Sequence, residues 1–123
     1  MTRRATDLER LTKKFMKEIY ASETPPSIRI LKDSNPEFLE EWLKLRDIAR
    51  HKGLLPLKTR HLIWLTAQAV RLNTQACIVH VRGALDAAAK IEEIVETAMI
   101  LYITAGSSVG DVVLNALKEA KST

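Results

Sequence analysis

The chain has 123 residues with 46% hydrophobic and 28% charged side chains, a formal net charge of +4, a pI near 9.4 and a single cysteine. That is the length of one domain, too apolar for a disordered segment, and one cysteine excludes an intrachain disulfide framework. The basic excess is local: Arg3, Arg4, Arg10, Lys13, Lys14 and Lys17 are set against Asp7, Glu9 and Glu18, and the aromatic residues are scattered along the chain, so nucleic-acid binding is not expected.

The N-terminal stretch "MTRRATDLERLTKKFMKEI" is charged throughout and has no apolar h-region, so it is not a secretory signal and a cytoplasmic protein is expected. Leu8, Leu11, Phe15 and Ile19 recur at steps of three and four, which predicts an amphipathic helix over about 6–21. "ASETPPSIRILKDSNP" (21–36), with its two adjacent prolines, reads as a linker. Asn35 as N-cap, Pro36 at the first helical position and Gly53 past the end bound the best-marked helix, with Phe38, Leu39, Trp42, Leu45 and Ile48 or Ala49 as its apolar face.

The next helix starts after Pro56, carries Leu62, Leu65, Ala69 and Leu72, and stops at Asn73. A helix over about 75–89, with Ile78, Val81, Ala84 and Leu85 on its apolar side, should fold back on it as an antiparallel hairpin, because the connection is short. "KIEEIVETAMILYITAG" gives a helix that is apolar on most sides, with an apolar run too short to span a bilayer. Gly106, Ser107, Ser108 and Gly110 read as a break before a last amphipathic helix. The sum is an all-α single domain, 1–123, of about six helices, with an N-terminal helix and linker (1–34) and a helical core (35–123).

The chemistry-bearing residues gather on the hairpin. Cys77 and His80, three apart, share one helical face, and His61 on the preceding helix can face them. Cys77 is either a nucleophile activated by a helix N-terminus or a neighbouring histidine, or a small buried hydrophobe. His80 is an acid or base near neutral pH, or a hydrogen-bonded core residue. Arg60 and Arg82 are forks for an anionic substrate, or solvated charges. His51, at the end of the helix that begins at Pro36, is explained by the helix dipole. The run His61, Cys77, His80 matches no zinc spacing and lacks a fourth ligand, so no metal is expected, and nothing calls for a cofactor.

From about residue 55 onward the segments "LKTRHLIWLTAQAVRLN", "HVRGALDAAAKIEEIVETAMILYITAG" and "LNALKEA" resemble the carboxymuconolactone decarboxylase family, which includes the alkylhydroperoxidase D-like proteins. The thiol-peroxidase branch carries a Cys-x-x-Cys pair. Here Thr74 stands where the first cysteine belongs, His61 stands at the glutamate of Lys-x-Arg-Glu, Cys77 to His80 is one residue shorter than usual, and Ala88 replaces a turn glycine. The decarboxylase branch keeps a histidine in His-x-Arg-Ala-Ala-Leu, matched by His80 with Arg82 after it. The resemblance implies a small enzyme acting on a carboxylate or lactone through His80, assisted by His61, with Arg82 or Arg60 holding a carboxylate. It also implies a homo-oligomer, trimeric or hexameric. The alternatives are a peroxiredoxin-type thiol peroxidase using Cys77 with an external thiol, and a non-catalytic scaffold on the same fold.

Overall fold

The computed structural model of the protein describes residues 2–122. Among them lie seven helices: α1 Arg3–Glu18, α2 Pro26–Ser34, α3 Pro36–His51, α4 Leu57–Val70, α5 Thr74–Asp86, α6 Ile91–Thr104 and α7 Ser107–Lys121. The all-α expectation holds, and no helix among the described residues is long and apolar enough to cross a membrane. The chain divides into two compact units, Met1–Gly53 and Leu54–Thr123.

In the first unit α1 and α2 both pack on α3. The helix beyond the expected six is α2, which lies inside the segment expected to be a linker. Pro25 and Pro26 start α2 rather than break the chain there, because a proline at the first helical position gives up only an amide that has no partner anyway. Ile28 then joins Leu8, Leu11, Leu39 and Leu43 in a small core, where truncating a fully buried leucine such as Leu39 to alanine costs about 2–5 kcal/mol.

The cap of α3 is as expected, with the Asn35 carboxamide oxygen accepting from the Phe38 amide at 3.1 Å. Its phase is not. The inward side is Leu39 and Leu43 with Glu40 and Arg50, while Phe38, Trp42, Leu45 and Ile48 are exposed. Both stripes have helical spacing. Glu18 on α1 draws Arg50 inward (2.9 Å) and Arg4 draws Glu40 (3.1 Å), and these ion pairs settle which stripe is buried.

The second unit is a four-helix arrangement of α4 to α7, with α7 against α4, α5 and α6. Leu65, Ala69, Cys77, Val81, Ile94, Ala98, Leu101, Val113 and Ala116 lie at its centre. α4 and α5 form the antiparallel hairpin, turning through Leu72 at φ 57° into α5, whose first turn is capped by Asn73 accepting from the Ala76 amide at 3.1 Å. α6 opens with the Glu93 carboxylate accepting from the Lys90 amide at 3.0 Å, and Lys58 lies 3.1 Å from the same carboxylate. These contacts, the backbone one first, hold the Glu93 carboxyl below its ordinary range.

The break expected across 106–110 is shorter than the glycine and serine content implied. Only Gly106, at φ 103°, is outside the helix, and α7 begins at Ser107. Gly110 lies within α7, and the Tyr102 ring of α6 occupies the space a Cβ there would need. Close helix packing, not turn formation, accounts for that glycine.

Candidate active site

The hairpin brings His61 and His80 into contact. On α4, His61, Leu65 and Ala69 follow each other at four-residue steps and are all fully buried; on α5, Cys77, His80, Val81 and Ala84 form the facing stripe. Antiparallel pairing sets Cys77 against Leu65 and His80 against His61, with the two Nδ1 atoms 3.4 Å apart. One of these nitrogens must carry a proton and the other offer a lone pair for the contact to be attractive. Protons on both facing nitrogens would set two N–H donors against each other in a desolvated place.

Two residues that the sequence reading did not single out complete the site. Trp64, one turn after His61, stacks on the His80 ring with centroids 5.2 Å apart and planes 24° apart, and lies 6.0 Å from the His61 ring. Gly83, one turn after His80, leaves the space into which the His61 ring fits: a Cβ there would come within 2.6 Å of Nε2. The available signal was spacing, since Trp64 and Gly83 each stand three residues after a histidine on the same helical face.

Cys77 belongs to the core. It is fully buried, its Sγ lies 3.8 Å from the Leu65 carbonyl oxygen, and burial pushes its thiol up to about 11. At neutral pH it is a thiol and not a thiolate, which removes the form a nucleophile or metal ligand needs. Arg60 and Arg82 are half-buried on the same two helices as the histidines, and Arg60 Nε donates to the Leu55 carbonyl at 2.8 Å.

A second cluster lies in the first unit. Glu18 accepts from Arg46 at 2.7 Å, with Arg50 Nε at 2.9 Å and His51 at 3.4 Å, while Lys14 lies 2.5 Å from Asp47. The hydrogen bond from Lys14 holds the Asp47 carboxyl below its ordinary range. Glu18, Asp47 and His51 offer ligand atoms within 4.8 Å of one another, yet Lys14, Arg46 and Arg50 already neutralise both carboxylates. The charge set suits an ion-pair network and not a bound cation.

The model of the carboxymuconolactone decarboxylase family matches residues 36–119. The fold is similar to that of a protein from Burkholderia xenovorans LB400, provisionally assigned as a carboxymuconolactone decarboxylase, whose crystal structure aligns with a TM-score of 0.77 at 20% identity over 97% of this chain and 94% of that one. Comparison with the curated proteins gave no match.

Proposed function

The chain belongs to the carboxymuconolactone decarboxylase family, and from that premise we propose that it is a small enzyme performing acid–base chemistry on a carboxylate or lactone substrate at the His61–His80 couple. The observation that carries the reading is the 3.4 Å Nδ1 to Nδ1 contact between two buried histidines on facing helices, stacked upon by Trp64. Two imidazoles in an apolar surround form an expensive arrangement for packing alone, and a suitable one for delivering or taking a proton.

Decarboxylation of a lactone acid asks little more. The bond to the carboxyl carbon breaks, carbon dioxide leaves, the electron pair passes into the lactone carbonyl system, and the resulting enolate carbon takes a proton from an imidazolium. The other histidine accepts the shared proton at rest and supports the charged form during transfer. Arg82 and Arg60 are assigned to the substrate's carboxylate, as charged forks on the same helices. The family also supports a homo-oligomeric, cytoplasmic enzyme. A thiol peroxidase would need the Cys77 thiolate, and the burial of that residue weighs against it.

The test is carbon dioxide release from carboxymuconolactone by the purified protein and its His80→Gln and Cys77→Ala variants. The expected result is activity in the parent, a drop of about a hundredfold or more in His80→Gln, and near-parental activity in Cys77→Ala. Peroxide consumption that vanishes in Cys77→Ala, without decarboxylation, would replace this reading by the thiol one. Absence of both activities would leave the fold as a scaffold.

A further inference from the structure

The outward side of α3 is apolar where a solvated helix should be polar. Phe38, Trp42, Leu45 and Ala49 follow at steps of four, three and four, and Phe38, Leu45 and the neighbouring Ile48 are 55%, 66% and 53% exposed. This stripe is a second face, distinct from the one that packs on α1 and α2. Trp42 is steadied at its edge by the Phe15 ring, 5.5 Å away and nearly perpendicular.

Charge says what covers it. A second row, Glu37, Glu41, Lys44, Ile48 and Lys52, runs beside the stripe at steps of four, three, four and four. Its acidic residues lie in the first half and its basic residues in the second. Glu37 and Lys52 make no ion pair among the described residues, whereas the inward-facing Glu40 and Arg50 are paired within the unit. A copy of the same row running in the opposite direction presents a basic end to the acidic end. In a parallel copy the two rows lie on opposite sides of the contact and do not meet.

We propose that this face of α3 docks on the same face of a second copy of the chain, antiparallel across a two-fold axis beside Leu45. Such an isologous contact needs only one patch that complements itself. Antiparallel pairing sets the bulky Phe38 and Trp42 of one copy toward the smaller Leu45 and Ala49 end of the other, and Glu37 toward the partner's Lys52. The helix dipoles oppose in the same arrangement. The contact gives the homo-oligomer reading a defined surface and an even subunit number, and it stands or falls separately from the acid–base reading.

The experiment uses the full chain. Because Cys77 is buried, Leu45→Cys places a single accessible thiol beside the two-fold axis. Mild oxidation is expected to link Leu45→Cys to itself as a disulfide dimer, and not to link a Lys118→Cys control. By sedimentation the parent should have a mass that is an even multiple of 13.9 kDa, falling at least twofold in Leu45→Glu with helicity and melting unchanged. Glu37→Lys should weaken association, and adding Lys52→Glu should restore it. A monomeric or trimeric parent at tens of micromolar overturns the proposal. So does cross-linking of Leu45→Cys no faster than the control, or a Leu45→Glu mass equal to that of the parent. Should Leu45→Glu lose helicity, the cross-linking comparison decides alone.

Discussion

The His61 imidazole fills the space beside Gly83 that a methyl group would take, since a Cβ there would lie 2.5 Å from Nδ1 and 2.6 Å from Nε2. Gly83→Ala therefore forces the ring away from His80. The helix itself tolerates alanine better than glycine, so any loss of stability reports on the ring. Unfolding by urea should show a net loss of about 1–3 kcal/mol, and decarboxylase activity should fall with it. An unchanged midpoint with full activity would mean that the ring has another resting place.

Cys77 makes stability depend on alkali. Its folded thiol titrates near 11, above the ordinary 9.0 for this group, so between those values the unfolded chain releases a proton that the native chain keeps. Stability is then fully present below pH 9 and is lost as pH rises, by up to about 1.4 kcal/mol per pH unit and about 2–3 kcal/mol in all by pH 11. Cys77→Ala, slightly less stable at pH 7 for its lost volume, should lack this slope. Melting curves of the two proteins at pH 7, 9 and 10.5 make the comparison.

Ala88 holds a left-handed backbone, φ 70°, in the turn between α5 and α6, and is exposed. The Cβ there is a cost with no packing return. Ala88→Gly should raise stability by about 1 kcal/mol, visible as a melting temperature several degrees higher.

Glu18 is the acceptor around which the first unit's cations are arranged. Glu18→Gln leaves Arg50, which is buried, and Arg46 without their counter-charge, and should cost about 3 kcal/mol. The exposed Glu9–Lys13 pair is the contrast: Glu9→Gln should change stability by less than about 0.5 kcal/mol. Denaturant unfolding of both variants separates a buried network from a surface pair.

These residues also show where the sequence was readable. Asn35 and Pro36 marked a helix start because capping is a local interaction, settled within four residues. Periodicity and a short connection put both histidines on one hairpin but set His61 opposite Cys77, whereas the register through Asn73 pairs His61 with His80 and Cys77 with Leu65. The phase of α3 was not readable. Leu39 with Leu43 and Phe38 with Leu45 are equally good stripes, and the choice lies with Glu18 and Arg4 on another helix. Pro25 and Pro26 looked like chain punctuation and serve as a helix start. Gly110 looked like part of a chain break and is a space for the Tyr102 ring, and Gly83, which carried no signal of its own, is the space for the His61 ring. Except at the prolines, where helix-start chemistry is local, each miss is a decision made by a distant side chain.

The central claim is that His61 and His80 act as one unit, and a double-substitution cycle tests it most directly. Carbon dioxide release should be measured for the parent, His61→Gln, His80→Gln and the double variant. Loss of either partner disables the couple, so each single variant should fall about a hundredfold or more and the double should fall little further. Losses that multiply in the double variant, or a His61→Gln protein as active as the parent, would contradict the account.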